Sequence, residues 1–221
     1  MKRYATYIFD LDGTITDTTG VWIQIFRECL EHVGIDSSAF ADDEIAKHTH
    51  DWSAVVELGA QPQDIAAFGE HAKILANKRL PDAQQFPLAY ETLQAIQSSG
   101  RNLAIFSTMD RVMFDPAMRH NNLNSLTNVA IAGTDVPNRK PQPDGILKAL
   151  ADLGVAQKDF GNAVYMGDKD TDIQAAHNAG IDAILFFPPI HQTIYDKTAT
   201  LLHKPESVIA SWQELLDSLT A

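Results

Sequence analysis

Five short apolar runs constrain the fold of this chain more than any other feature of its sequence. Each run is four to six residues long and apolar on both faces: Tyr4–Phe9, Leu103–Phe106, Val129–Ala132, Ala163–Met166 and Ala183–Phe187. Such runs are typical of parallel strands that are covered on both sides. Helical patterns separate most of them. The alternation predicts an α/β fold, a three-layer, Rossmann-like core with five mainly parallel strands and right-handed crossovers.

Three helices of the predicted core each end just before a glycine, which readily adopts the left-handed conformation of a helix C-cap. They are Pro87–Ser99 before Gly100, Pro143–Leu153 before Gly154 and Asp172–Ala179 before Gly180. These stop signals support the division of the core into alternating strands and helices.

The interval after the first strand breaks this alternation and contains no convincing strand. It begins with an amphipathic helix that ends at Gly34 and carries apolar residues at helical spacing: Val21, Trp22, Ile25, Phe26, Cys29, Leu30 and Val33. Further helices are predicted at 51–58 and 62–80. We therefore expect an all-helical cap subdomain over residues 18–86, inserted into a core formed by residues 1–17 and 87–221.

The charge balance limits the classes of partner. With 29 acidic and 17 basic residues the formal net charge is -12, so the chain repels nucleic-acid phosphates and no nucleic-acid partner is expected. A small phosphorylated metabolite would need a local cation to enter a site.

The sequence also bears on location. Cys29 is the single cysteine, which excludes an internal disulfide. No secretory signal and no apolar run of about 20 residues is found. We expect a cytoplasmic protein with no membrane association, either a monomer or a homodimer.

Polar residues follow the predicted strands at the edge where ligands bind in doubly wound sheets. The candidates are Asp10, Asp12 and Gly13 after the first strand, Ser107 and Thr108 after the second, Lys140 before the helix that leads to the fourth, and Asp168 and Asp172 after the fourth. Together they offer carboxylates, hydroxyls and an ammonium group.

Asp10 and Asp12 are two residues apart, which places both side chains on one side of an extended chain. Two carboxylates held together either share a cation or keep a proton. A hard cation with few carboxylate ligands fits Mg²⁺. One carboxylate can attack phosphorus and the other can exchange protons with the leaving group and water. Gly13 allows close backbone approach.

Phosphoryl transfer depends mainly on positioning and charge neutralisation. Lys140 and Mg²⁺ would neutralise the phosphoryl oxygens. Ser107 and a backbone N–H near Thr108 would hold them. The residues therefore predict a Mg²⁺-dependent phosphatase that acts on a small phosphate monoester.

Four segments in this order resemble the haloacid dehalogenase superfamily of hydrolases. They are Asp10-Leu11-Asp12-Gly13-Thr14, Ser107, Lys140-Pro141 and Gly167-Asp168-Lys169-Asp170-Thr171-Asp172. The resemblance spans roughly two thirds of the chain and implies a central first strand. Within the superfamily, the phosphoglycolate phosphatase-like and β-phosphoglucomutase-like subclass with a helical cap is the nearest.

The resemblance also implies roles for these residues. Asp10 looks like the nucleophile and Asp12 like the general acid/base. Ser107 and Lys140 look like phosphate-binding residues. The implied Mg²⁺ ligands are Asp10, the backbone carbonyl of Asp12 and Asp168, with Asp172 as a supporting carboxylate.

Other interpretations remain open at this point. A phosphomutase of the β-phosphoglucomutase type has the same four motifs. A non-catalytic phospho-ligand binding protein could keep the fold, and a response-regulator receiver domain uses a similar residue set but is shorter. His48 and His50 allow a weak zinc hypothesis, against a cap loop that contributes to substrate choice. Lys169 departs from the family pattern, in which a small serine is frequent.

Overall fold

A single sheet of six parallel strands forms the centre of the protein. The computed structural model describes residues 1–49, 52–127, 129–194 and 202–220. The strands lie in the order β3-β2-β1-β4-β5-β6. Their bounds are β1 Thr6–Phe9, β2 Asn102–Phe106, β3 Val129–Ile131, β4 Ala163–Gly167, β5 Asp182–Phe186 and β6 Ser207–Ile209.

Strand β1 is central, as the resemblance implied, and the chain changes direction across the sheet beside it. From β1 the chain adds β2 and β3 on one side and then returns to add β4 on the other. Ligands of open α/β sheets bind at such switch points, beyond the carboxyl ends of the strands. The register pairs Phe9 with both Ile105 and Met166, so Asp10 follows directly at this edge.

The sheet has a sixth strand, β6, whereas the sequence analysis predicted five. Ser207–Ile209 pairs in parallel with β5 at the edge of the sheet. The strand has three residues, and only Ile209 is buried within it. A run this short with one buried side chain carries too little apolar pattern to indicate a strand from the sequence.

Helices cover both faces of the sheet and build the insertion. They are α1 Thr19–His32, α2 Asp42–His48, α3 Ile65–Arg79, α4 Ala89–Ser98, α5 Arg111–His120, α6 Asp144–Asp152, α7 Asp170–Ala179, α8 Pro189–Ile194 and α9 Trp212–Thr220. The predicted helix 51–58 is a 3₁₀ helix over Trp52–Leu58, and its first residue, Asp51, lies outside the described residues. Helix α2 was not predicted.

The two faces of the sheet are both apolar, which confirms the three-layer prediction. Tyr7 and Phe9 pack into one cluster of buried side chains, whereas Ile8 packs into the other. The same alternation holds in β4, where Met166 and Tyr165 face opposite clusters. Successive side chains of a strand point to opposite faces, so a sheet that is covered on both sides requires unbroken apolar strands.

Helices α1 to α3 lie between two chain segments that run side by side. The backbone N–H of Asp17 donates to the carbonyl of Gln84 at 2.8 Å, and that of Phe86 donates to the carbonyl of Ile15 at 2.9 Å. The cap boundaries at 17/18 and 86/87 remain predictions.

Helix α9 supports the loop that follows β1. The buried Trp212 ring lies 5.3 Å from the Phe9 ring and 6.0 Å from that of Phe186, centroid to centroid. Its indole N–H donates to the backbone carbonyl of Thr14 at 3.1 Å. This hydrogen bond satisfies the indole N–H, which the packing of the Trp212 ring buries.

Replacing Trp212 tests this support. We expect Trp212→Ala to lower the free energy of unfolding by about 3–5 kcal/mol, because a large buried ring is lost. Trp212→Phe keeps most of the ring and should lower it by about 1–3 kcal/mol, because the Thr14 carbonyl stays buried without its donor. Urea denaturation measures both. The exposed Val112→Ala serves as control, and similar losses in all three variants would contradict the role of Trp212.

Candidate active site

Asp10 and Asp168 meet at the carboxyl edge of the sheet because their strands are neighbours. Asp10 follows β1 and Asp168 follows β4, and both are 4% exposed. A third carboxylate, Asp172, comes from the first turn of α7 and is 1% exposed. Oxygen atoms of these three side chains lie within 4.8 Å of one another.

Burial shapes the titration of this cluster. Removal from water raises the pKa of Asp10, against the opposing effect of Lys140, and raises that of Asp168. The neighbouring carboxylates raise these pKa values further, because each negative charge disfavours ionisation of the others.

Lys140 lies beneath the carboxylates and uses all three of its N–H donors. Its Nζ is 2.9 Å from Asp10 Oδ2, 2.6 Å from Asp172 Oδ1 and 3.0 Å from the Tyr165 hydroxyl. The Tyr165 hydroxyl in turn donates to the carbonyl of Phe106 at 2.8 Å. Burial lowers the pKa of Lys140, but the charges of Asp10 and Asp172 outweigh this and raise it overall. Lys140 therefore stays charged.

The donor set fits a divalent cation. Three buried carboxylates and one buried ammonium carry a formal charge of -2 when all are ionised, from -3 and +1. Oxygen donors of this type suit hard cations such as Mg²⁺. Asp10, Asp168 and Asp172 are the residues whose geometry could hold one.

Two glycines allow this close approach. A Cβ atom on Gly13 would lie 2.6 Å from Asp168 Oδ2, and Gly13 has a φ of +79°. A Cβ atom on Gly167 would lie 2.3 Å from Asp172 Cγ. A larger residue would displace the Asp168 side chain at the first position and the Asp172 side chain at the second.

The Asp12 side chain contacts the helical insertion. The indole N–H of Trp22, in the first turns of α1, lies 3.4 Å from each carboxylate oxygen of Asp12. Trp22 is half-buried. This contact links the predicted acid/base residue to the predicted cap. The metal-ligand role of Asp12 through its backbone carbonyl remains a prediction.

Ser107 and Thr108 lie at the end of β2, next to β1. Ser107 is fully buried, and its Oγ accepts a hydrogen bond from the backbone N–H of Met109 at 3.3 Å. Thr108 is half-buried, and its carbonyl packs closely against Gly133. Both residues are at the edge that carries Asp10, and their phosphate-binding role remains a prediction.

A narrow cavity lies between helices α1 and α2 on one side and the ends of β1 and β4 on the other. Its lining combines residues in or next to α1 and α2, namely Thr18, Thr19, Trp22, Ala46 and Thr49, with Asp12, Gly13, Asp168, Lys169 and His191. Helix α2 contacts α8 beside it. The cavity is the space in which the side chains of both parts meet.

The sequence did not indicate three residues of this site. Tyr165 is part of an apolar run, Trp22 is part of an amphipathic stripe, and His191 lies in a segment without a motif. The zinc hypothesis named His48 and His50. His48 Nδ1 lies 3.8 Å from Glu57 Oε2, and His50 is outside the described residues.

Comparison with known proteins assigns the family. The family model of haloacid dehalogenase-like hydrolases matches residues 7–186. The chain belongs to the haloacid dehalogenase-like hydrolase family. This confirms the resemblance and the expectation of a hydrolase. Among the described residues, none of the helices has the length and apolar character that a bilayer span requires.

Curated relatives of this haloacid dehalogenase-like hydrolase are phosphatases. The fructose-1-phosphate phosphatase YqaB of Escherichia coli is 28% identical over 83% of this chain and 96% of its own length. The pyrophosphatase PpaX of Bacillus mycoides is 24% identical over 97% of this chain and 96% of its own length.

Solved structures share the fold. A HAD family hydrolase from Deinococcus radiodurans, with bound phosphate and sodium, is 21% identical with a TM-score of 0.77, covering 98% of this chain and 95% of its own. A HAD-superfamily hydrolase of subfamily IA from Geobacter sulfurreducens is 18% identical with a TM-score of 0.72, covering 98% of this chain and 97% of its own.

Asp168→Asn tests the metal site through stability. A carboxyl whose pKa is raised by folding stabilises the fold at acidic pH and loses this contribution as the pH rises through the raised pKa. Without Mg²⁺, we expect the variant to be more stable than the wild type at pH 8 by roughly 1–3 kcal/mol, because an unfavourable buried charge is removed, and nearly equal at pH 4.

Adding Mg²⁺ should reverse this order, because a ligand that binds only the folded state stabilises it. Thermal unfolding at both pH values, with and without Mg²⁺, measures the effect. The exposed Asp152→Asn is the matched control. Equal stabilisation of Asp168→Asn and the wild type by Mg²⁺ would contradict a site at Asp168.

Proposed function

We propose that this hydrolase is a Mg²⁺-dependent phosphatase that cleaves a small phosphorylated metabolite through an aspartyl phosphate on Asp10. The observation that carries the proposal is the buried Asp10 carboxyl group, which lies 2.9 Å from Lys140 Nζ and beside two further carboxylates. A carboxylate in this setting can act as a nucleophile. The phosphatase names of the curated relatives support the same reaction class.

The chain's own residues divide the reaction into two displacements. Asp10 attacks phosphorus while the bond to the leaving oxygen breaks, and Asp12 gives its proton to that oxygen. Water then attacks the phosphorus of the aspartyl phosphate, Asp12 takes a proton from the water, and phosphate leaves with Asp10 restored. Asp10, Asp168 and the backbone carbonyl of Asp12 would hold Mg²⁺, with Asp172 as a supporting carboxylate, and the ion would supply positive charge that offsets the carboxylates and the phosphoryl oxygens.

Other residues hold the reacting groups. The backbone N–H of Leu11 donates to Asp10 Oδ1 at 2.8 Å, and Lys140 binds Oδ2, so both carboxylate oxygens are fixed. Ser107 and the backbone near Thr108 are proposed to bind the phosphoryl group at the end of β2.

Residues 18–86 are proposed to form a cap that encloses the substrate. The support is the cavity itself, whose lining comes from both this segment and the core. A location in the cytoplasm is the expected setting, and a monomer or a homodimer remains the expected state.

Asp10→Asn is the direct test of the mechanism. Asparagine preserves the shape of the side chain but is not a nucleophile, so kcat for phosphate release should fall by at least about 10³-fold. A panel of phosphorylated metabolites, assayed with and without Mg²⁺, measures this, and circular dichroism checks the fold. Asp115→Asn, at a half-buried residue of α5 that pairs with Arg111 at 2.9 Å, is the control. Turnover at the wild-type rate in Asp10→Asn would contradict the mechanism. Isomerisation of a sugar phosphate without release would indicate a phosphomutase.

The Trp22–Asp12 contact yields a second test. Trp22→Phe keeps an aromatic ring in the cap but removes the N–H that holds the Asp12 carboxylate. We expect kcat to fall about 10-fold, because an acid/base group must be held in line with the proton it transfers. KM should change less. Trp52→Phe, at a cap tryptophan that packs on Gly69, is the matched control. Equal effects of the two substitutions would show that Trp22 acts only through packing.

A further inference from the structure

The segment that carries Asp168 and Asp172 contains a third aspartate, which is directed away from the carboxylate cluster. Asp168 and Asp172 both belong to the buried cluster. Asp170 lies midway between them and is the first residue of α7. Its carboxylate is bound by His203, in the segment that precedes β6. The short segment 167–172 is therefore attached to a distant part of the chain at its middle.

His203 binds both carboxylate oxygens of Asp170. Its backbone N–H donates to Oδ1 at 2.8 Å, and its ring Nδ1 donates to Oδ2 at 2.9 Å. An ionised carboxylate can only accept hydrogen bonds, so the ring carries its proton on Nδ1 in this contact. The Asp170 side chain is 19% exposed. Two hydrogen bonds to a charged group from one residue fix both the position and the direction of the carboxylate.

A second contact between a histidine and a carboxylate joins the same two parts of the chain at the other end of α7. His177, in the last turn of α7, has its Nε2 at 3.4 Å from Glu206 Oε2. Glu206 is itself fixed on β5, because its side chain accepts from the backbone N–H of Ala183 at 2.6 Å and its own N–H donates to the Ala183 carbonyl at 3.0 Å. Residues 203–206 therefore connect to α7 at both of its ends.

The carboxylates on the inner side of segment 167–172 are held unequally. Asp172 Oδ2 accepts from the backbone N–H of Lys169 at 2.9 Å. Asp168 Oδ1 accepts from the hydroxyl of Thr14 at 3.4 Å, which is long for a hydrogen bond between oxygen atoms. The position of the Asp168 carboxylate therefore depends strongly on the backbone that carries it, and Asp170 anchors that backbone two residues further on.

We propose, resting on the metal site and the phosphatase function above, that His203 is a positioning residue for Mg²⁺ binding. By holding Asp170, it fixes the start of α7 and with it the backbone from which Asp168 and Asp172 extend into the site. Its effect is exerted through Asp170, without contact to the reacting atoms. Mg²⁺ requires near-ideal ligand geometry, so a small displacement of this backbone weakens binding even when all of the ligands are present.

The two histidines along α7 provide a matched pair of variants. His203→Ala removes the ring next to the metal-ligand candidates, and His177→Ala removes the ring at the other end of the helix. The two side chains have similar exposure, 35% and 33%. His203→Asn is the conservative variant, because its amide N–H₂ can replace Nδ1–H as the donor to Asp170. Circular dichroism and urea denaturation check that each variant is folded.

Calorimetric titration with MgCl₂, in the absence of substrate, measures the Kd of the ion directly. We expect His203→Ala to raise this Kd about 10-fold, as is typical when a residue that orients metal ligands is lost, whereas His203→Asn and His177→Ala should stay within about 3-fold of the wild type. Equal increases in the two alanine variants would show support of the fold alone and would overturn the proposal. An unchanged Kd in His203→Ala, or no Mg²⁺ binding by the wild type, would overturn it as well.

Kinetics separates this inference from the proposed reaction. On the best substrate of the metabolite panel, His203→Ala should need about 10-fold more Mg²⁺ for half of its maximal rate, while kcat at saturating Mg²⁺ falls less than about 3-fold. The expected Kd values without hydrolysis by the wild type would overturn the phosphatase function alone. Hydrolysis with the same Mg²⁺ requirement in His203→Ala and the wild type would overturn the role of His203.

Discussion

The ion pairs of Lys140 are the interaction on which the site depends. Burying three carboxylates together is costly, because each loses its hydration and repels the others. Lys140 bridges Asp10 and Asp172, and so joins the end of β1 to the start of α7. The rings of Phe106 and Tyr165 lie 5.5 and 5.3 Å from its ammonium group. The cluster keeps a residual negative charge that a divalent cation would neutralise.

The sheet order explains why these groups meet. Strands β1 and β4 are neighbours although more than 150 residues separate Thr6 from Ala163, and their carboxyl ends lie at one edge. The helical insertion leaves the core directly after that edge and returns to it. Trp22 can therefore reach Asp12, and Thr49 can face Lys169 across one cavity. In the proposed function, the strand ends supply the reacting groups and the helical segment selects the substrate.

The sequence predicted what depends on local pattern and on strand ends. Runs that are apolar on both faces correctly predicted strands β1 to β5, and the polar residues that follow β1 and β4 proved to be neighbours. The three residues of β6 and the short helix α2 lacked a pattern long enough to detect. Tyr165, Trp22 and His191 could not be assigned, because the periodicity that marks a residue as apolar does not reveal where its hydroxyl, indole N–H or imidazole is directed. Such contacts depend on side-chain rotamers and on elements distant in sequence.

The support of the Thr14 carbonyl by Trp212 has a consequence for biosynthesis. The two residues are 198 positions apart, so the loop after β1 is translated long before the helix that packs on it. At common rates of translation the interval is about 10–40 s. During this time the nascent chain carries the aspartates of the first strand end without their final packing. The earliest part of the site to be made is thus among the last to be completed.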